Sequence, residues 1–173
     1  MKKHITLYDK DMADIRLRSI DQRDIEELRV WKNSNRSAFF YKQEISPEAQ
    51  AQWYRKYLSG EDYIFMAEIN INDEWEKIGC LGFRVVEENV DLYNIMRGRR
   101  TEVRSSMRAA MLILLAHLTR KYDFPVKCDV LAENPAVEWY KKCGFLISEY
   151  RDNYYIMTYQ SGTIALPDVE EEV

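Results

Sequence analysis

Two hydrophobic periods divide this chain. Ile15-Arg16-Leu17-Arg18 alternates apolar and charged residues, the mark of a strand with one buried face. Ile25, Leu28 and Trp31 (or Val30) then recur at three- and four-residue spacing and predict a helix over residues 21–31, with its acids early, where they favour the N-terminal end. After the polar turn at 32–37 a second helix is expected: Ser46 can cap it, Pro47 has no N–H to leave unsatisfied, and Trp53, Tyr57 and Leu58 fall on one side. Strands return at Tyr63–Ile71, 77–86 and 90–96, separated by the turns Asn72-Asp73-Glu74 and Glu87-Glu88-Asn89, and read as an antiparallel meander. Gly79 and Gly82 in the middle strand mark a bulge or a close backbone approach.

The longest helix starts at Arg104 or Ser105, carries Met107, Met111, Leu114, Leu115 and Leu118 on its apolar side, and stops before Pro125. The short apolar run Val126–Leu131 follows, so strand, helix and strand form a βαβ unit, which crosses over right-handedly and leaves two nearly parallel strands beside the helix entry. Asn134 and Pro135 open a further short helix, Gly144 ends it, and Phe145 restarts an apolar strand. Residues 147–151 and 153–159 supply the last strands, and the tail over 160–173, with few core-forming residues, is expected to be loose. The whole chain, 1–173, reads as a single α/β domain of the α+β kind, with a mixed, mostly antiparallel central sheet and helices on both faces.

Composition narrows the function classes. A formal charge of −4 argues against a general nucleic-acid or membrane-surface binder and leaves only local basic patches to hold phosphates. Cys80, Cys128 and Cys143 lie far apart without metal-ligand spacing, which points to reduced thiols in a cytoplasmic chain. With only His4 and His117 there is little material for a zinc site or a Ser-His-Asp arrangement, so no metal is expected. The N-terminal Lys2 and Lys3 are not followed by an apolar segment, so no signal peptide is expected, and no run is apolar enough for a membrane helix.

The segment Asn134-Pro-Ala-Val-Glu-Trp-Tyr140-Lys-Lys-Cys-Gly144-Phe145 resembles the motif that closes the cofactor site in the GNAT acyltransferase superfamily. That resemblance implies acetyl-CoA as co-substrate, Tyr140 as the general acid for the departing thiolate and Asn134 as a cofactor contact. The superfamily's pyrophosphate pattern, Arg/Gln-x-x-Gly-x-Gly/Ala, aligns best with Arg100-Thr-Glu-Val103-Arg104-Ser105, where both glycines are missing. Val103 resists positive φ, Ser105 can cap and donate, and the cations Arg97, Arg99, Arg100, Arg104 and Arg108 could replace part of the lost cradle. Counting back from Val103 places Ile95 at the end of its strand; the resemblance implies that Ile95 and Arg97 offer backbone groups to the pantetheine arm and that the acetyl group lies against residues 92–95. Acetyl transfer also needs a base, and Asp91 and Glu88 are the candidates there.

The front end, Ile15-Arg-Leu-Arg…Trp31-Lys-Asn33…Arg36…Ile45-Ser-Pro…Trp53, is similar to a GNAT subgroup that acetylates nucleotide-linked amino sugars or ribosomal-protein N-termini. It implies substrate contacts at Trp31, Asn33 and Arg36, although Trp31 can equally pack in the core and Asn33 can equally form the turn. The expected activity is N-acetylation of a primary amine on a small molecule, an amino sugar on a nucleotide carrier first, by a monomer or homodimer that binds neither nucleic acid nor membrane. A peptide or protein α-amine acceptor and a non-catalytic binding module are the alternatives.

Overall fold

The computed structural model describes residues 2–98 and 105–173, and in it one sheet organises the chain. Its strands are β1 (Thr6–Asp9), β2 (Ile15–Ser19), β3 (Tyr63–Ile71), β4 (Glu74–Val86), β5 (Asn89–Arg97), β6 (Val126–Leu131), β7 (Phe145–Tyr150), β8 (Tyr154–Tyr159) and β9 (Val169–Glu172). The described helices are α1 (Ile25–Ser34), α2 (Pro47–Ser59), α3 (Ser106–Lys121) and α4 (Ala136–Lys142). The sheet runs β7-β8-β6-β5-β4-β3-β2-β1-β9, and among the described residues only β5 and β6 pair in parallel. It is therefore the mixed, mostly antiparallel α/β architecture that the hydrophobic pattern predicts.

Alternation along β3 sorts the core into two layers. Ile64 and Met66 face α1 and α2 and pack with Leu28, Trp31 and Tyr57, while Phe65 and Ala67 face the other way and pack with Met111 and Leu114 of α3. Val137 and Tyr140 of α4 join the α3 layer. Among the described residues no helix is long and apolar enough to cross a membrane.

Local signals set the helix ends. The Ser46 hydroxyl accepts from the Ala49 N–H at 3.1 Å, and Pro47 sits in the first turn as the pattern requires. At α1 the expected helix divides: Asp21 and Asp24 close a capping box around a 3-10 turn, Gln22–Asp24, and α1 proper begins at Ile25. Asp24 is buried there. Burial would raise its carboxyl, but hydrogen bonds from Arg18, from the Asp21 N–H and from Lys77 outweigh that and hold it at about 2.

The tail departs from expectation. Instead of running loose, Val169–Glu172 forms β9 and pairs with β1 from Thr6↔Glu172 to Asp9↔Val169. Val169 is fully packed, Arg120 of α3 donates to its carbonyl at 2.9 Å, and Lys10 meets Asp168 at 2.9 Å. A strand with one apolar residue and three glutamates has no alternation to betray it. Its order comes from the open edge of β1, and its charges in turn discourage further strand pairing.

Two irregularities set the shape of β5. Between the pairs Cys80↔Met96 and Gly82↔Tyr93, Leu81 alone opposes Asn94 and Ile95, a bulge in which Asn94 adopts φ +50. The glycines opposite are required by proximity: a Cβ on Gly79 would lie 2.3 Å from the Met96 carbonyl oxygen, and one on Gly82 2.9 Å from that of Tyr93. On its other side β5 pairs with β6 only from Val90↔Val126 to Leu92↔Cys128, and beyond Leu92 the two strands part.

Candidate active site

The parting of β5 and β6 opens a cleft of about 1060 Å3, lined by β5 from Asp91 to Arg97, by the end of β6, by the start of α4 and by the segment 37–41. Tyr140 is buried in its wall. The ring packs edge-on against Trp139 and Phe145, with centroids 5.1 and 5.6 Å away, which fixes its direction. Among the described residues nothing hydrogen-bonds its hydroxyl, and that hydroxyl is not sealed from the cleft. Burial, with Cys128 and Cys143 beside it, pushes its pKa well above the usual tyrosine range, so it holds its proton at rest.

Asn134 and Gly144 hold α4 in place. The Asn134 side-chain oxygen, Oδ1, accepts from the Ala136 N–H at 2.9 Å, a cap from the residue before Pro135, and Gly144 ends the helix at φ +94, where L residues are strained. The Asn134 amide also donates to the Ala38 carbonyl at 3.3 Å. That bond, with Phe40 edge-on to Tyr154 at 5.3 Å, ties the segment after α1 across the cleft mouth.

The structure gathers Tyr140, Asp91, Ile95, Arg97 and Asn134 around this one cleft. Asp91 is held by Arg84, whose Nε lies 2.8 Å from its carboxylate. Arg97 is exposed and has no partner among the described residues. Ile95 belongs to the bulge, where the extra residue interrupts the β4–β5 ladder and the Cys80 thiol donates to the Asn94 carbonyl at 3.0 Å. Glu88 instead sits exposed in the β4–β5 turn, at φ +59, and does not line the cleft. Ser105 precedes α3 at φ +67, a conformation that favours glycine, and makes no side-chain cap. Arg108 donates to the Lys142 carbonyl at 3.0 Å and so closes the end of α4. Arg100, Val103 and Arg104, expected at the cofactor loop, lie outside the described residues.

The three expected substrate residues take other places. Trp31 is 8 % exposed and fills the space beside Gly98, where a Cβ would come within 2.2 Å of its ring. Asn33 grips the backbone of Ile45 twice, accepting from its N–H at 2.8 Å and donating to its carbonyl at 3.0 Å. Arg36 is exposed and 4.0 Å from Glu44. None of the three lines either cavity of the site.

Their neighbour Lys32 does. A second pocket of about 290 Å3 lies between α1, α2 and the bulge, and Lys32, Tyr41, Asn94 and Met96 line both it and the cleft. The Lys32 ammonium donates to the Asn94 side-chain oxygen and stands 4.1 Å from the centre of the Phe39 ring. Burial pushes its pKa below the usual lysine range. Its helical spacing offered a signal: Lys32 follows Leu28 by four residues, so both fall on one face of α1. Glu133, an exposed carboxylate on the cleft just before Asn134, carried no such signal.

No protein-family model and no curated protein matches the sequence. Solved structures do. A nucleotide-linked sugar GNAT, FdhC in its apo form, superposes with a TM-score of 0.70 at 17% identity, over 84% of this chain and 86% of that one. The fold is the GNAT fold. A domain from Methanocaldococcus jannaschii shares it with a TM-score of 0.73 at 19% identity, over 83% of this chain and 96% of that one. So does yncA from Salmonella typhimurium, solved with its cofactor acetyl-CoA, with a TM-score of 0.64 at 14% identity over 90% of this chain and 98% of that one. At these identities the likeness is one of architecture alone.

Proposed function

We propose that the protein is an acetyl-CoA-dependent N-acetyltransferase acting on a primary amine of a small molecule. One observation carries the reading: a buried phenol, Tyr140, presents a hydroxyl that no described residue claims to the cleft that a splayed strand pair opens. The residues there fit the co-substrate, because the Asn94–Ile95 bulge interrupts the strand ladder beside a cleft of about 1060 Å3 and Arg97 stands at its end. When bound, acetyl-CoA supplies an acetyl group activated as a thioester. The bulge N–H groups stabilise negative charge on the carbonyl oxygen as the amine nitrogen adds to the carbonyl carbon. Tyr140 gives its proton to the sulfur as the C–S bond breaks, and the amide and free thiol leave. Asp91, oriented by Arg84, takes the proton that the amine sheds, directly or through water. The pocket of about 290 Å3 beside the bulge suits a small acceptor, such as an amino sugar on a nucleotide carrier, better than a folded protein surface.

Two measurements test this. Calorimetric titration should give micromolar binding of acetyl-CoA, and no heat at millimolar concentration removes the transferase reading in favour of a non-catalytic module. Y140F should lower kcat by on the order of 100-fold with acetyl-CoA affinity retained. Unchanged turnover would remove Tyr140 from the acid role.

A further inference from the structure

The smaller pocket has an unusual charge balance for a site that receives amines. Among the described residues its lining is otherwise apolar or uncharged, including Leu28, Gln50 and Trp53, with no carboxylate, and Lys32 is the one basic side chain. Among the described residues of the pocket nothing neutralises it. The Cys80 thiol on the same wall is pushed up to about 12 by burial, against the pull of Lys32, and so stays an uncharged thiol. The ammonium has three donors, of which one serves the Asn94 side chain, and the Phe39 ring covers one flank. The remaining N–H groups have no acid among the described residues to receive them, and they sit at the junction of pocket and cleft, beside the bulge.

A bare cation in an apolar wall discriminates strongly. At hydrogen-bonding distance in a partly buried site a second positive charge is repelled, and an anionic oxygen is attracted, far more strongly than in bulk water. Granted the transferase reading, we propose that Lys32 selects the acceptor, admitting amines that carry a carboxylate or phosphate near the nitrogen and excluding polycationic amines. The same charge disfavours a protonated ammonium at the junction, so the acceptor arrives as the neutral nucleophile that the chemistry needs.

The test uses the purified full chain, acetyl-CoA and release of free thiol, with glycine, glucosamine 6-phosphate, glucosamine, ethanolamine and spermine as acceptors. Wild-type kcat/KM should be at least about 10-fold higher for the anionic acceptors than for their neutral counterparts, and lowest for spermine. Glycine against glucosamine 6-phosphate distinguishes a carboxylate from a phosphate. K32M should collapse the anionic-to-neutral ratio towards one, chiefly through KM, while K32R keeps it; K32Q takes the place of K32M should the latter fail to fold. Acetyl-CoA titration of each variant reports whether the donor cleft is intact. A wild-type ratio near one, a ratio that K32M and K32Q leave unchanged, or acetyl-CoA binding without transfer to either anionic probe overturns the role of Lys32. No acetyl-CoA binding and no thiol release by the wild type overturns the transferase reading with it.

Discussion

Tyr140 shows how a common side chain acquires a special state from its surroundings. A solvent-facing phenol would begin to ionise near pH 10, but this ring is enclosed by Trp139, Phe145 and two buried thiols, so the neutral form is favoured well beyond that. A proton donor must be protonated to work, and a raised pKa extends that condition upwards. The expected kcat/KM profile therefore rises as the acceptor amine loses its proton and shows no descending limb below about pH 10. A limb near pH 8 that Y140F abolished would contradict this. The motif around Tyr140 is legible in the sequence because it is local: cap, aromatic pair and glycine stop succeed one another in the chain. Lys32 lies between Trp31 and Asn33, both expected at the substrate, yet it alone of the three reaches a cavity. Only the packing of α1 against β5 decides which of three consecutive side chains does so.

At the scale of elements, the site depends on a strand that misbehaves. β5 would pair evenly on both sides were it not for the bulge at Asn94 and Ile95 and the parting from β6 after Leu92. Gly79 and Gly82 announce a close approach, but not on which strand the extra residue lies. The segment between α1 and α2 is the second such element. Asn33 holds its far end through two hydrogen bonds to Ile45, and Asn134 holds its near end through the Ala38 carbonyl. Asn33 thus positions the lip formed by Phe39, Phe40 and Tyr41 without lining either cavity itself. N33A should cost about 1–2 kcal/mol in urea denaturation and raise the acceptor KM more than it lowers kcat. A change confined to kcat would mean that Asn33 touches the reaction itself.

For the whole molecule, the last strand in the chain, β9, forms one edge of the sheet. β9 docks on β1 and also reaches α3, where Glu171 lies 3.4 Å from Nδ1 of His117. His117 is 2 % exposed, and its Nε2 has no hydrogen-bond partner among the described residues. Burial, and then the nearby Lys121, pushes its pKa down from 6.5 to about 4, against the opposing pull of Glu171. The unfolded chain therefore binds a proton between these values while the folded chain does not. Stability from this group is complete above about pH 6.5 and is lost as pH falls towards 4, in total on the order of 3 kcal/mol. Urea denaturation at pH 7, 6 and 5 should record a progressive loss that H117L flattens; an equal slope in that variant would assign the effect to other groups.

Hydrophobic period and punctuation suffice for most elements, because strands β3 and β6, the start of α2 and the stop of α4 are dictated by residues that are neighbours in the chain. The resemblance around Asn134 and Tyr140 then points to the chemistry. What only the tertiary structure decided were matters of which surfaces meet. It turned Trp31 into a wedge against Gly98, gave Asn33 to a loop clamp, left Glu88 away from the cleft, ordered the acidic tail as β9 and brought Lys32 to the junction of two cavities. Each of these depends on contacts between residues remote in sequence, and a periodic pattern records that a side is buried without recording what buries it.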